Sequence, residues 1–359
     1  MSETNRAHGV SRLPLLTTSS TCSKRAMDRG RRSATAVRSR PAAVRGSAPG
    51  GVATRTGWLL LSALALAAGC GAGDRVVAYL SGPAAGGATA DGGGVLGTFS
   101  APVAIYGLLD ATDVLQDPSL STDELELYFA SNKGGTLDIW RSTRATTADA
   151  WGTASLVEEL SSDVYDDQEP ELTRDDLTMY FASNRPGAEA GTHIWVSRRS
   201  GRAEPWGAPA QLQLTGTAMM ARGPTIDAPQ LEMIFYSDGA EGDYDLYRMW
   251  RPSIAEPWQP PAPLSEINST VFDWDPGLFQ DGCGLVFGSR RGGTGKSPTS
   301  DLFETVAASD DGTFTAPHPL DALNTKASEG DPWLSNDGHH IVFSSDRGGT
   351  VSRLYESWR

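Results

Sequence analysis

The chain has 359 residues, with 44 acidic and 30 basic side chains, 39% apolar residues and three cysteines. This length and apolar content suffice for one large domain or two ordinary ones, whereas three cysteines exclude a disulfide scaffold and a four-thiolate zinc site. The charge is unevenly distributed, because residues 1–69 hold 11 basic and 2 acidic side chains and leave 19 basic and 42 acidic ones from Cys70 onward. So acidic a surface repels phosphate backbones, and we expect no nucleic-acid partner.

The start of the chain has the pattern of an export signal. An apolar run at residues 58–68 follows Arg55 and precedes Gly69-Cys70. The run is too short to span a bilayer comfortably but fits a secretory signal, although a buried helix ending in a structural cysteine is the alternative. The segment 66–70, Leu-Ala-Ala-Gly-Cys, resembles the bacterial lipobox. That resemblance implies lipid attachment at Cys70, which would hold the protein stably on a membrane.

These features divide the chain into four segments. Because signal peptides normally have about 15 to 30 residues, we expect the signal peptide at residues 52–69, with translation starting at Val52. Residues 1–51 would then precede the true start, or else form a disordered basic leader. The Gly- and Ala-rich residues 70–97 are expected to form a flexible tether, and residues 98–359 the folded domain. With lipid on Cys70, Cys283 is interpreted as a small buried apolar group without a partner.

The folded segment repeats about every fifty residues. Each of five units has a proline, a phenylalanine eleven residues later and a serine two residues after that. Farther along, each unit has an aliphatic-aromatic pair such as Ile139-Trp140, and in four units another aromatic residue follows at a spacing of eleven. The prolines and phenylalanines are Pro118, Pro170, Pro224, Pro276, Pro332, Phe129, Phe181, Phe235, Phe287 and Phe343. Repeats at this period indicate a solenoid or a propeller.

Each unit is predicted to contain four short strands. The first would begin at the proline, which lacks a ladder donor, and the second alternates apolar residues toward a core. The third would carry the aliphatic-aromatic pair, and the fourth would begin at the following aromatic residue. Four-stranded units repeated radially form an all-β propeller.

The two ends of the repeat region predict how the ring closes. The segment Phe99-Ser-Ala-Pro102 matches a fourth strand, and the fifth unit lacks one. We therefore expect a single propeller of five blades, with six as the alternative, in which the strand near Phe99 completes the last blade. Such closure removes exposed sheet edges.

Two motifs carry a resemblance to a known family. They are Asp331-Pro-Trp-Leu-Ser-Asn-Asp-Gly338 with the following 341–349 segment, and Glu169-Pro-Glu-Leu172 with residues 179–185. These motifs resemble the WD-like repeats of TolB-type propellers over about residues 99–359. The resemblance implies a propeller, usually of six blades, and specifies function only weakly.

The candidate binding residues lie beside the repeated prolines. Four units place an acid directly before the proline, and two tryptophans lie close to these acids. We expect the acids to converge at the mouth of the central channel, where they would attract a cation or a polyhydroxylated ligand; alternatively, they only accept backbone hydrogen bonds at the start of each blade. The candidates are Asp117, Glu169, Asp275, Asp331, Trp274 and Trp333.

Catalytic motifs do not stand out. There is no Gly-x-Ser-x-Gly, no phosphate-binding loop and no metal-ligand spacing of histidines, so we predict no cofactor and no metal site. The first functional hypothesis is a monomeric, non-enzymatic binding or scaffolding propeller, lipid-anchored at the periplasmic face or surface of the outer membrane. Its partners would be envelope proteins or peptidoglycan-associated molecules. The second hypothesis is a glycan-active enzyme that uses channel carboxylates.

Overall fold

The computed structural model describes residues 96–187, 191–214, 220–238, 243–292, 299–308 and 312–359. The predicted leader, signal peptide, lipid attachment at Cys70 and nearly all of the tether lie outside these residues. No helix in the described ranges is long and apolar enough to cross a membrane.

The described residues form five four-stranded antiparallel sheets. Each complete blade follows the chain from the innermost strand outward. The strands in chain order are β1 (Val103–Ala104), β2 (Leu115–Leu120), β3 (Glu126–Ser131), β4 (Asp138–Thr143), β5 (Ser155–Leu156), β6 (Asp167–Leu172), β7 (Thr178–Ser183), β8 (His193–Arg198), β9 (Ala210–Gln211), β10 (Arg222–Ile226), β11 (Glu232–Asp238), β12 (Tyr244–Trp250), β13 (Ala262–Pro263), β14 (Asp273–Phe279), β15 (Gly284–Ser289), β16 (Asp301–Val306), β17 (His318–Pro319), β18 (Glu329–Leu334), β19 (His340–Ser345) and β20 (Arg353–Trp358). The prediction of an all-β propeller with five blades is confirmed.

The N-terminal strand closes the ring as predicted. Strand β1 pairs with β20, with Val103 opposite Glu356 and Ala104 opposite Tyr355. Phe99 is 6% exposed, and the guanidinium of Arg359 lies 4.3 Å from the centre of its ring. The last blade is therefore assembled from both ends of the domain, and it has four strands like the other blades.

The innermost strands begin earlier than predicted. Each starts two or three residues before the repeated proline, and the pairing with the second strand shifts register across it, for example between Gln116 and Ser119. The shift is a β-bulge, in which the extra residue is left out of the ladder. Because a bulge removes the need for a ladder donor, proline is tolerated inside the strand rather than only at its first position.

The outermost strands are shorter than predicted. They span two residues each and begin four residues after the aromatic residue that was expected to start them. That aromatic residue is instead buried in the core, with Trp151 8% and Trp258 4% exposed. An arginine from the end of the third strand lies over its ring, as Arg144 does over Trp151 at 4.2 Å. The repeated aromatic residue therefore packs the blade instead of beginning its edge strand.

The core lies between neighbouring blades. The phenylalanines of the second strands are 0% exposed, namely Phe129, Phe181, Phe235, Phe287 and Phe343. One cluster joins Leu115 and Phe129 of the first blade to Val342 and Leu354 of the last. The apolar alternation predicted for the second strands thus provides the surfaces that hold the ring together.

Cys283 differs from its interpretation as a small buried apolar group. It follows the 3-10 turn Gln280–Gly282, is half-buried and takes part in a disulfide. The expectation that it has no partner is therefore wrong.

Candidate functional site

The bulge of each innermost strand turns one residue into the left-handed backbone region. In four blades this residue is the acid before the proline, with φ of 54° at Asp117, 56° at Glu169, 48° at Asp275 and 51° at Asp331; the third blade has Gly223 at 53°. Residues other than glycine adopt this conformation uncommonly, and it costs free energy. All five line the central channel, so the repeated bulge brings the predicted acids together.

Several of these acids connect one blade to the next. The backbone N–H of Asp117 donates to Asp331 Oδ2 at 3.4 Å, and the N–H of Glu169 donates to Asp117 Oδ2 at 3.2 Å. The N–H of Gly223 donates to Glu169 Oε2 at 2.6 Å. The acids thus accept backbone hydrogen bonds, but from the following blade rather than from the start of their own. They stabilise the assembly of the ring.

This arrangement leaves several acids in surroundings that disfavour their charge. Burial, with repulsion from Asp331 and Glu169, raises the pKa of Asp117 well above its usual range. The pKa of Asp275 is also raised well above its usual range by burial and by Asp331, to whose side chain Asp275 is hydrogen-bonded. Burial raises the pKa of Glu169 as well, against the opposing effect of Arg222. The channel therefore holds carboxyl groups so deeply buried and so close together that ionising all of them is unfavourable.

The third blade departs from the repeat in a way that the structure explains. A Cβ atom on Gly223 would lie 2.6 Å from a ring carbon of Tyr236, so the tyrosine fills the space where the other blades have an acid. The Tyr236 hydroxyl donates to Glu169 Oε1 at 2.5 Å. Although burial alone would lower the pKa of Arg222, Glu169 raises it. A tyrosine and an arginine thus replace the missing acid.

A cavity of about 310 Å³ opens where the innermost strands begin. Its lining includes the four channel acids, the amides of Gln116 and Gln168, and a set of residues from the third and fourth blades. That set, which we call the aromatic-arginine wall, consists of Arg222, Tyr236, Tyr244, Phe272, Trp274 and Arg290. We call the cavity the channel-mouth pocket. Its volume is at the lower end of the range for small-molecule sites.

The structure separates the two candidate tryptophans. Trp274 lines the channel-mouth pocket, as the sequence prediction requires. Trp333 instead lines the channel and a second cavity of about 80 Å³, which lies where the innermost strands end. The ring of Trp333 meets the imidazole of His340 edge to face at 5.9 Å. The candidate site therefore contains the four acids and Trp274, with Trp333 at the other end of the channel.

Sequence reasoning missed most of the aromatic-arginine wall. Tyr236 occupies a position held elsewhere by small residues, and this difference was visible in the repeat; those residues are Ala130, Ala182, Gly288 and Ser344. Tyr244, Phe272 and Arg290 lie in loops or at strand ends, where the residue type differs between blades and gives no sequence signal. Within the described ranges, no group of three or more histidine, cysteine or acidic residues is arranged to hold a metal ion.

No protein-family model and no curated protein matches the sequence. Solved structures match in fold. The catalytic domain of a GH62 α-L-arabinofuranosidase from Coprinopsis cinerea is 14% identical, with 73% of this chain and 96% of that chain covered and a TM-score of 0.53. The α-L-arabinofuranosidase of Podospora anserina, solved with cellotriose, is 13% identical, with 73% and 96% covered and a TM-score of 0.51.

TolB propellers are also among the similar structures. TolB from Acinetobacter baumannii is 16% identical, with 70% of this chain and 55% of that chain covered and a TM-score of 0.45. This chain therefore spans about half the length of that TolB. At these identities the likeness concerns the fold alone, which carries many unrelated functions.

Proposed function

We propose that the protein is a non-enzymatic binding module of the cell envelope, which holds its ligand or partner at the channel-mouth pocket. One observation carries this proposal: the channel acids are engaged in holding the ring together, since Asp331, Asp117 and Glu169 each accept a backbone N–H of the following blade. Asp275 and Asp331 are within hydrogen-bonding distance of each other. Glycoside hydrolysis instead needs two carboxyl groups about 5 to 9.5 Å apart, with room for water or a glycosyl bond between them.

The placement on the envelope rests on the lipobox-like segment that ends at Cys70. A diacylated N-terminal cysteine would hold the acidic ring at a membrane surface through the tether, on the periplasmic face or the surface of the outer membrane. Envelope proteins or peptidoglycan-associated molecules are the partners that such a location offers. The Cys283 disulfide bears on this part of the proposal, because a Cys70–Cys283 bond would leave no thiol at Cys70 for a lipid.

A glycan-active enzyme is the second candidate, and the electrostatics of the channel favour it. The pKa of Asp117 is raised well above its usual range, a property that a general acid needs near neutral pH. The carboxyl groups of Asp117 and Glu169 line the open pocket.

A direct assay separates the two candidates. The full chain is incubated with arabino- and xylo-oligosaccharides at several pH values, and products are followed by chromatography against an Asp117→Asn variant. We expect no cleavage by either protein. Cleavage by the wild type that is lost in the variant would refute the non-enzymatic proposal.

The membrane anchor has its own test. Native protein should fractionate with membranes, and the Cys70→Ala variant should become soluble. Mass spectrometry of the native N-terminal peptide should find lipid on Cys70. A disulfide between Cys70 and Cys283, or unchanged membrane fractionation of the variant, would refute the anchor.

A further inference from the structure

Half of the residues that line the channel-mouth pocket are departures from the repeat. The residue before each left-handed bulge residue differs in every unit except the first two: Gln116, Gln168, Arg222, Trp274 and Gly330. Residues that recur in every blade are explained by the architecture, whereas residues that occur once at a cavity are not required by it. The aromatic-arginine wall comes entirely from the third and fourth blades. The pocket is therefore one-sided, as a site for a specific small ligand would be.

The wall holds one arginine at the pocket rim. Tyr236, Tyr244, Phe272 and Trp274 meet edge to face in sequence, with centroid distances of 5.1, 5.3 and 6.1 Å. The guanidinium of Arg290 lies 4.6 Å from the centre of Phe272 and 5.3 Å from that of Trp274. Such contacts hold a cation by attraction to the ring face. In the part of the chain that the structure describes, no carboxylate lies within ion-pair distance of Arg290, so its charge is available to a ligand.

A second arginine lies on the same wall. Arg222 Nη1 is 3.5 Å from the Tyr244 hydroxyl, and Arg222 Nε is buried without a hydrogen-bond partner among the described residues. Arg222 lines the pocket, and the positive charge of its guanidinium attracts an anionic group there. Both arginines therefore favour a ligand that presents an anionic, acceptor-rich group to the wall.

The floor of the pocket has the opposite character. Asp117, Glu169, Asp275 and Asp331 all contribute carboxyl groups to it, and the described hydrogen bonds to Asp117 use only Oδ2. A cationic nitrogen at this floor would relieve the repulsion among the acids and donate hydrogen bonds to them. The pocket is therefore negative at its floor and positive along one wall.

We propose that the channel-mouth pocket binds a small zwitterion, a free α-amino acid, with its ammonium group on the acid floor and its carboxylate on Arg222 and Arg290. The inference rests on the proposed binding function and specifies the ligand class. A cavity of about 310 Å³ suits a ligand of this size. A neutral sugar fits less well, because Arg290 already covers a face of Trp274, and the other aromatic rings pack against one another.

The test compares one ligand with its singly charged derivatives. The full chain is screened by thermal shift against the standard free α-amino acids and against arabinose, and the best amino acid is measured by calorimetry. We expect its affinity to exceed that of its amide and of its N-acetyl derivative by at least about tenfold each, because each derivative loses one charge-assisted contact.

Variants of the protein identify which side chains bind each charged group of the ligand. Arg290→Gln should weaken binding of the amino acid by about tenfold and leave binding of its amide unchanged. Asp275→Asn should weaken binding of both compounds. Arg198→Gln is the matched control, since Arg198 is exposed at the end of β8, away from the pocket, and it should change nothing.

Three outcomes would overturn the inference: no free amino acid binds, the amide binds as tightly as the zwitterion, or arabinose binds instead. Binding of arabinose without turnover would leave the proposed function standing. Cleavage of an oligosaccharide would contradict both the proposed function and this inference.

Discussion

The acid floor predicts that replacing one of its carboxyl groups with a neutral amide should stabilise the fold. Asp275 is hydrogen-bonded to the side chain of Asp331, and burial and that neighbour raise its pKa well above the ordinary 3.8. An Asp275→Asn substitution replaces a contact between two acids with an amide N–H donated to a carboxylate. Near neutral pH the wild-type carboxyl group must take up a proton on folding, which costs about 1.4 kcal/mol for each pH unit above 3.8 until the folded-state pKa is reached, whereas an asparagine has no such cost. We expect a net gain of about 1 kcal/mol or more near neutral pH, since the asparagine also needs partners of its own.

The sign of the pH dependence follows from the raised pKa of Asp275. Below 3.8 the carboxyl group is protonated in both the folded and the unfolded chain, and it has no ionisation penalty. As pH rises from 3.8 toward the folded-state pKa, the unfolded chain releases its proton first, so the wild type loses stability. The advantage of the Asp275→Asn variant should therefore be small at pH 4 and full at pH 8.

The assay is thermal unfolding of both proteins at pH 4 and pH 8. For a domain of this size, about 1 kcal/mol corresponds to a rise of about 2 to 4 °C in Tm. Asp321→Asn serves as the control, because Asp321 is an exposed acid and should change Tm little. A lower Tm for Asp275→Asn at pH 8, or an equal gain at both pH values, would refute the electrostatic account of the floor.

Three further predictions concern the ring itself. His340 is 3% exposed and contacts glutamates of the first and last blades at 3.0 and 3.3 Å. Burial lowers the pKa of His340, but the two glutamates outweigh it and raise the pKa above 6.5. The stability that His340 contributes is therefore present below pH 6.5 and is lost as pH rises through the folded-state pKa. His340→Gln should flatten this part of the pH–stability curve, and an unchanged slope would show that another group titrates. Phe99→Ala should cost about 3 to 5 kcal/mol in chemical denaturation because it empties the closure core, whereas a cost below about 1 kcal/mol would contradict closure by the N-terminal strand. Gly223→Ala should cost at least about 1 kcal/mol, since alanine is strained at positive φ and its Cβ would clash with a tyrosine ring; an unchanged denaturation midpoint would contradict that packing.

Much of the fold could be predicted from the sequence because the repeat is set by inter-blade packing. The phenylalanine of each second strand is fully buried in every blade, so its recurrence in the sequence indicated the number and spacing of the blades. The first and last residues of the strands were harder to predict from the sequence. Pro118 looked like a strand start because it lacks an N–H, but the bulge at that point places it inside β2. The bulge is stabilised by contacts with the next blade, which a single unit does not reveal.

The candidate site also contains residues that could be predicted from the sequence and residues that could not. The four channel acids could be found because they recur at one position beside a proline. Arg290 and Phe272 could not, because each occurs in one blade only, and the repeat does not show which single-blade residues meet at the pocket. Trp333 was grouped with Trp274 because each neighbours an acid, yet they line opposite ends of the channel. The two lie on different sides of their acids, Trp274 one residue before Asp275 and Trp333 two residues after Asp331, so the strand carries them toward different ends.

The central claim is that the channel-mouth pocket holds a ligand without transforming it. Native mass spectrometry of the protein purified from its own envelope tests this claim most directly, with a Trp274→Ala variant prepared in parallel. We expect a small molecule that is bound to the wild type, chemically intact and absent from the variant. Recovery of cleavage products from the wild type, or of the same bound molecule from both proteins, would contradict the account.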